Sequence, residues 1–324
     1  MRLHEDTALF KDAISITAQR LNLPEIYVEK DYWVTFALHR IFTSPVANLT
    51  VFKGGTALAK CFSFIQRFSE DIDLVVLQGP HDTANQLKQR LKQVTQAVTD
   101  VMPEIEQDGL TNKKGMIRKT AHSYTRQFDG QFGQVRDLII LEVSWLGSAE
   151  PCTTGRITSF VYDMMLASGQ QNMAEDYGLL PFDVAVLDPT RTLCEKIMSL
   201  VRFSYTPTPM EDLKKKIRHV YDLHQLLQQD DLTAFFNSID FDLMLRKVVA
   251  DDKVSFKSNN DWLQYHPSEA LIFTDVAPVW RELRSTYNGG FKNLVFGALP
   301  NEEHILATLR NIRSRLAQVE WIMP

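Results

Sequence analysis

The sequence contains only three cysteines in 324 residues, Cys61, Cys152 and Cys194. They are too few and too far apart for a disulfide framework or a paired-cysteine metal motif. No apolar stretch approaches the roughly 20 residues that a helix needs to cross a bilayer. The first residues include acids where a signal peptide would have a continuous apolar segment. We therefore expect a cytoplasmic protein that has no membrane as a partner.

The chain also lacks an excess of positive charge, since its formal net charge is -5. This balance excludes a protein that coats nucleic acid broadly, but it permits a local basic groove. Two basic clusters could form such a groove, or they could be solvated faces, as most runs of charge are. The clusters are Lys113, Lys114, Arg118 and Lys119, and Lys214, Lys215, Lys216 and Arg218.

Composition and periodicity predict an α+β protein of ordinary globular character. Hydrophobic residues make up 44% of the chain and charged residues 23%, which is typical of a chain with a sizeable core. The first half mixes helices with four predicted strands, and helical periodicity dominates the second half. We expect a small mixed sheet with flanking helices in a first domain, residues 1–186, and a mainly helical second domain, residues 187–324. The predicted strands are 49–53, 71–77, 117–127 and 135–146, and residues 184–187 are strand-like.

The most informative stretch begins with a strand that ends at Gly54-Gly55, after which Thr56 opens a short helix. Glycines let the backbone approach a ligand closely, and a helix start presents unpaired N–H groups to an anion. The phosphates of a nucleotide would suit this corner. The alternative is an ordinary tight turn with a capping hydroxyl.

The next strand carries Asp71 and Asp73, which are two residues apart and therefore point to the same face. Two adjacent carboxylates repel each other unless a cation lies between them. Mg²⁺ is bound by carboxylates in this way, with substrate phosphates completing its shell. The alternative is an exposed edge strand with solvated acids, but Ile72 and Leu74 make the strand otherwise apolar.

The combination of these elements resembles the DNA-polymerase-β-like nucleotidyltransferase superfamily. Its signature is a Gly-Gly or Gly-Ser turn followed by a strand with paired aspartates. Within that superfamily the chain resembles the AbiEii/AbiGii toxin family, through four segments that occur in the same order. These are Val28–Val34 (VEKDYWV), Phe52–Lys60 (FKGGTALAK), Arg67–Leu74 (RFSEDIDL) and Glu195–Lys196.

The resemblance implies an enzyme that transfers a nucleoside monophosphate from an NTP to an acceptor hydroxyl, with Mg²⁺ or Mn²⁺ as cofactor. It implies RNA as the acceptor, in particular the 3′ end of a tRNA. It further implies a cognate antitoxin as a partner and a toxin–antitoxin or abortive-infection role in phage defence. Two alternatives stay open: transfer to a protein or a small molecule, and a non-catalytic binding protein on the same fold.

Several polar residues around the turn are candidates for nucleotide binding. Lys53, Lys60 and Arg67 either neutralise triphosphate charge or balance nearby acids. Ser69 either donates to a phosphate or caps the turn before the strand. The full predicted nucleotide-binding set is Lys53, Gly54, Gly55, Thr56, Lys60, Arg67, Ser69 and Lys196.

Glu142 is the predicted third metal ligand beside Asp71 and Asp73. It lies in the apolar run 138–143, where a lone acid would cost several kcal/mol unless it is paired or metal-bound. In the superfamily that this chain resembles, a third carboxylate lies on a strand of this kind. There it also accepts the proton of the attacking hydroxyl. Asp137, at the start of the strand, is the competing candidate, but we favour Glu142.

Two residues of the helical half complete the predicted catalytic set. Lys196 lies at the edge of the apolar arc of its helix, and the resemblance implies that it reaches the phosphates of the nucleotide. The family commonly has Arg-Asp-x-x-Asp-Leu further on, where this chain has His219 in place of the first aspartate. Asp222 is left to position the substrate, or it simply pairs with Arg218 one turn earlier. The predicted catalytic residues are Asp71, Asp73, Glu142, Lys196 and Asp222.

Overall fold

A computed structural model describes residues 1–69, 71–130, 135–257 and 259–321. The chain forms two compact units. The first comprises Met1–Ser63, Arg67–Trp145 and Cys152–Leu187, and the second comprises Phe64–Gln66, Leu146–Pro151 and Asp188–Pro324. The domain division at residue 186 stays a prediction, because packing alone does not show that either unit folds or acts independently.

One mixed sheet organises the first unit. Its strands within the described ranges are β1 (Thr50–Lys53), β2 (Asp71–Val76), β3 (Glu104–Ile105), β4 (Ile117–His122), β5 (Ile139–Ser144), β6 (Cys152–Ile157) and β7 (Phe182–Leu187). They lie in the order β3–β4–β5–β2–β1–β7–β6. The central strand β2 is antiparallel to β1 and parallel to β5.

The four strands predicted in the first half are confirmed with shorter bounds, and the strand-like residues 184–187 lie in β7. The largest difference is in the predicted strand 117–127, which ends at residue 122 as β4. The backbone N–H groups of Gln127 and Phe128 donate to the Glu29 carboxylate and are therefore lost to the sheet ladder. A long-range side-chain contact, which local periodicity does not reveal, thus changes the role of these residues.

Helices flank the sheet within the first unit: α1 (Thr7–Leu21), α2 (Glu25–Phe42), α3 (Gly54–Lys60), α4 (Ala84–Gln96), α5 (Phe160–Ala167) and α6 (Gln171–Asp176). Local signals account for several of their ends. The Asp6 side chain caps α1 by accepting from the Leu9 N–H, and α1 stops at Asn22, which has φ of 52°. Thr83 and Gln86 form a capping box at the start of α4.

The core of the first unit includes the apolar side chains of α2 and of β2. Tyr32 and Trp33 on α2 are at most 1% exposed. On β2, Ile72 and Leu74 are buried, whereas Asp71 and Asp73 are half-buried. The strand therefore separates its residues by face as the alternation predicts, with the two aspartates together on one side.

The second unit is mainly helical in its described residues. Its α-helices are α7 (Pro189–Ser204), α8 (Pro209–Lys215), α9 (Ile217–Leu226), α10 (Asp230–Phe236), α11 (Ile239–Ser255), α12 (Leu271–Thr274), α13 (Val276–Thr286) and α14 (Glu302–Leu316). The predicted α+β class is confirmed. In the part of the chain that the structure describes, no helix is both long and apolar enough to span a membrane.

Leu193→Ala should destabilise the protein by about 2–5 kcal/mol, because the side chain lies fully buried on α7 and its removal leaves a cavity. Leu243→Ala on α11 is the matched control, since that leucine is 50% exposed and should cost less than about 1 kcal/mol. Urea denaturation measures both. Equal losses would show that the apolar stripe of α7 does not form the core of the second unit.

Candidate active site

The turn at Gly54-Gly55-Thr56, where β1 ends and α3 begins, requires glycine for two separate reasons. Gly54 has φ of +81°, a conformation that side chains disfavour. A Cβ atom on Gly54 would lie only 2.3 Å from Oδ2 of Asp73. The turn and the carboxylate are therefore in direct contact, and glycine is the residue that permits this approach.

The other residues of the turn also contact the segment that leads into β2. A Cβ on Gly55 would lie 2.6 Å from a guanidinium nitrogen of Arg67 and 3.2 Å from Oγ of Ser69. The Thr56 hydroxyl lies 2.9 Å from the Ser69 hydroxyl and 2.5 Å from the backbone carbonyl of Asp71. These contacts bring the predicted phosphate residues of the turn together with Arg67, Ser69 and β2.

Glu142 lies beside the two aspartates because β5 is the parallel neighbour of β2. The register sets Asp73 opposite Glu142 and Asp71 opposite Ile140. Residues in register on adjacent strands point to the same face of the sheet. The three predicted metal ligands therefore share one face.

Two lysines continue the same row across the sheet. The register sets Lys53 on β1 opposite Asp73, and Lys119 on β4 opposite Glu142. Four adjacent strands thus carry a row of base, acid, acid and base. The Lys119 ammonium lies 2.9 Å from the Glu142 carboxylate, so one side of the acidic pair is already compensated.

Burial raises the pKa of Asp73 from its ordinary value of 3.8 to about 7, and the neighbouring carboxylates of Glu142 and Asp71 add to the increase. Lys53 and Lys119 act in the opposite direction but do not cancel it. Asp73 is therefore the carboxyl group at which negative charge is least compensated. A cation bound there would relieve that excess.

The other two carboxylates have cationic partners. Arg136 lies 3.3 Å from Oδ1 of Asp71, and Lys119 pairs with Glu142 as described above. Among the described residues, no group of three or more His, Cys, Asp or Glu side chains converges on one point that could hold a metal ion. For Asp71, Asp73 and Glu142 to bind one metal ion, the side chains of Asp71 and Glu142 would have to rotate away from Arg136 and Lys119. The three-carboxylate metal site stays a prediction.

Lys60 has a structural partner. Its ammonium lies 2.6 Å from Asp31 and 3.1 Å from the Thr158 carbonyl, and the Lys60 side chain is only 8% exposed. Of the two interpretations of Lys60, these contacts favour balancing of a nearby acid. Arg67 is also buried and donates to the Phe68 carbonyl at 3.2 Å, while its guanidinium lies against Gly55. Phosphate binding by either residue stays a prediction.

In the second unit, the predicted catalytic residues Lys196 and Asp222 contact each other. The Lys196 ammonium on α7 lies 2.7 Å from Oδ2 of Asp222 on α9, and both side chains are buried. The sequence did not anticipate this pair, since it offered Arg218 as the partner of Asp222. A buried pair of this kind is costly to break, because removal of one partner leaves the other charge uncompensated.

The comparison with protein families identifies the chain. The family model described as "Nucleotidyl transferase AbiEii toxin, Type IV TA system" matches residues 37–317, which is most of the sequence. This chain belongs to the AbiEii family. The family resemblance is thereby confirmed, and membership implies a nucleotidyltransferase that is the toxin of a toxin–antitoxin system.

Other comparisons add little to the description of this AbiEii-family chain. Among solved structures, that of JHP933 from Helicobacter pylori aligns with 90% of this chain and 94% of its own, at 13% identity and a TM-score of 0.39. A likeness of this size carries no argument about function. No curated protein matches the sequence.

Acidic neighbours neutralise most of the two basic clusters. In the first, Glu104 pairs with both Arg118 and Lys113. In the second, two lysines of α8 pair with acids three residues earlier on the same helix. These pairs favour the interpretation that the clusters do not form an open basic groove, and Lys119 of the first cluster belongs to the candidate site through its pair with Glu142. The α8 pairs are Lys214 with Glu211 and Lys215 with Asp212.

Sequence reasoning missed two cations of this site. Arg136 was not singled out, because an isolated arginine without a motif around it carries no local signal. Lys119 was noticed only as a member of a basic cluster, although it lies opposite Glu142. Alternation along β4 could have identified Lys119, but only if the register of β4 with β5 had been known.

Gly54→Ala should destabilise this AbiEii-family protein by about 1–3 kcal/mol more than Gly109→Ala does. Both positions have positive φ, 81° and 75°, so both variants carry the backbone strain of about 1–2 kcal/mol. A Cβ on Gly109 has no atom within 4 Å, whereas on Gly54 it displaces the Asp73 carboxylate. Equal unfolding free energies for the two variants would contradict the contact between the turn and Asp73.

Lys196→Met should destabilise the protein by about 3–5 kcal/mol, because Asp222 then stays buried without its partner. The double variant Lys196→Met/Asp222→Leu should recover most of that loss. Lys215→Met is the control, since its pair with Asp212 is exposed on the lysine side and should be worth less than about 1 kcal/mol. Thermal or urea unfolding tests the prediction, and a double variant as unstable as the single one would refute it.

Proposed function

We propose that this protein transfers a nucleoside monophosphate from an NTP to a hydroxyl group at the 3′ end of a tRNA. In this proposal the protein is a cytoplasmic toxin that has a cognate antitoxin and acts in defence against phage. The observation that carries the proposal is the contact between the Gly54 turn and the Asp73 carboxylate, in a chain of the AbiEii family. Nucleotidyl transfer needs a phosphate-binding turn and metal-binding carboxylates in one place.

Mg²⁺ or Mn²⁺ would be held by Asp71, Asp73 and Glu142. The chemistry of the donors fits, because both ions prefer carboxylate oxygens. Mg²⁺ usually takes one or two carboxylates and completes its shell with phosphates and water. The two aspartates on one face of β2 would therefore be enough for the ion to bind before Glu142 takes part. The uncompensated charge at Asp73 supports the same assignment. Glu142 would join after release from Lys119.

The residues of the turn bind and orient the triphosphate in this proposal. Backbone N–H groups of Gly54 and Gly55 donate to phosphate oxygens, and the Lys53 ammonium adds positive charge. Glu142 accepts the proton of the attacking hydroxyl, which then bonds to the α-phosphorus as pyrophosphate leaves. The metal, when bound, stabilises the charge on the attacking and leaving oxygens. Contact of Lys196 with phosphate stays a prediction of the family resemblance.

A second candidate differs only in the acceptor. The ion pairs that neutralise most of the basic clusters reduce the positive surface available to an RNA backbone. They favour transfer to a protein side chain or a small molecule. Incubation with NTPs labelled at the α-phosphate, bulk tRNA and Mg²⁺ separates the candidates. Label on RNA supports the first proposal, label on protein or on a small molecule supports the second, and no label contradicts both.

Asp71→Asn and Asp73→Asn should each abolish label transfer, because each removes a metal ligand. Asp137→Asn is the matched control, since that carboxylate precedes β5 and its side chain is 61% exposed. The control should retain the activity of the parent protein. Full activity in either Asp71→Asn or Asp73→Asn would refute the metal-site assignment.

The same Asp73→Asn variant should also be more stable than the parent above pH 7 in the absence of metal. The raised pKa means that folded Asp73 holds its proton up to about pH 7, whereas in the unfolded chain it loses the proton near 3.8. The parent therefore loses stability as the pH rises through this window, and the Asn variant does not. Urea denaturation in EDTA between pH 4 and 8 measures the difference, and a difference that does not grow with pH would contradict the raised pKa.

A further inference from the structure

Helix α2 buries three consecutive charged residues, Glu29, Lys30 and Asp31, each at most 5% exposed. Buried charges are costly unless each is hydrogen-bonded or paired. Consecutive residues of a helix point about 100° apart, so each of the three reaches a different part of the first unit. Asp31 pairs with Lys60 and accepts from the Phe160 N–H at 2.9 Å. These residues belong to the VEKDYWV segment, to which the proposed reaction assigns no role.

Glu29 and Lys30 both bind described residues between β4 and β5, at positions 127, 128 and 136. The Glu29 carboxylate accepts from the N–H groups of Gln127 and Phe128, at 2.7 and 3.2 Å. The Lys30 ammonium donates to the backbone carbonyl of Arg136. Two points between β4 and β5 are therefore attached to one buried helix.

The attachment at residue 136 delivers an arginine side chain to the carboxylates. The Arg136 backbone is held by Lys30, while its guanidinium lies 3.3 Å from Oδ1 of Asp71. The Arg136 side chain is 43% exposed, so its guanidinium is accessible to a ligand. An anchored backbone with an accessible guanidinium is suited to binding phosphate, because arginine presents several donors in one plane.

We propose that Arg136 is a phosphate-binding residue of the nucleotide site, and that it exchanges the Asp71 carboxylate for a phosphate of the NTP when a divalent cation binds Asp71. The inference rests on the proposed function, since it requires both the metal and the nucleotide. Arg136 compensates the charge of Asp71 in the free protein. Once the metal takes over that role, the guanidinium binds the phosphate group that arrives with the metal.

The exchange predicts effects of opposite sign in one variant. Arg136→Ala removes a competitor for Asp71, so its affinity for Mn²⁺ without nucleotide should rise about two- to fivefold. The same variant loses a charge-assisted hydrogen bond to phosphate, so its affinity for nucleotide should fall about tenfold or more. Arg136→Lys, which keeps the charge but not the planar donors, should lie between the parent and the alanine variant for nucleotide.

Two binding measurements test the exchange without turnover. Electron paramagnetic resonance of free Mn²⁺ gives the metal affinity, and calorimetry with α,β-methylene analogues of ATP, GTP, CTP and UTP in Mn²⁺ gives the nucleotide affinity. Arg126→Ala is the matched control. That arginine precedes β5 as well, its side chain is 40% exposed, and it lies 3.7 Å from Asp137 and 3.9 Å from Asp129.

The outcomes distinguish this inference from the proposed function. Tighter Mn²⁺ binding together with weaker analogue binding, in Arg136→Ala but not in Arg126→Ala, supports the exchange. If the parent binds Mn²⁺ and an analogue but Arg136→Ala binds both as the parent does, Arg136 has no such role and the proposed function stands. Losses in both affinities would show a structural role instead. If the parent binds neither Mn²⁺ nor any analogue, both proposals are wrong.

Discussion

Repulsion between carboxylates in register is the constraint on which the candidate active site depends. Asp73 and Glu142 lie opposite each other on parallel strands, and Asp71 shares their face. Charges this close cannot all be ionised in a partly buried place without compensation, and the raised pKa of Asp73 expresses that cost. The cations Lys53, Lys119 and Arg136 surround the carboxylates for the same reason.

This constraint also explains why the site is suited to metal and phosphate chemistry. A protein that needed only stability would replace such acids with apolar residues, because buried ion pairs seldom stabilise more than good packing does. The presence of the acids beside the Gly54 turn is therefore typical of a functional site. Among the cations, Arg136 is 43% exposed and Lys119 is 28% exposed, so both can respond when a ligand changes the charge.

Helix α2 holds several segments around the site. Each of its buried charged side chains binds a segment that is distant in the sequence. Together they attach residues between β4 and β5, the end of α3 and the start of α5 to one helix. Because of these contacts, α2 helps to determine the position of the Arg136 backbone and of the Lys60 ammonium. A shift of Glu29 or Lys30 would therefore be expected to disturb the acidic row, although neither residue belongs to it.

The sequence by itself determined the strand with Asp71 and Asp73 on one face, the glycine turn and the helical second half. These features depend on backbone conformation and on periodicities of 2.0 and 3.6 residues, which are local properties. Only the tertiary structure decided which charges meet: Arg136 lies 65 residues from Asp71, and Lys119 lies 23 residues from Glu142. Sheet register and the path of the chain determine which charged residues pair. From the sequence alone, several basic residues are equally suitable partners for each acid.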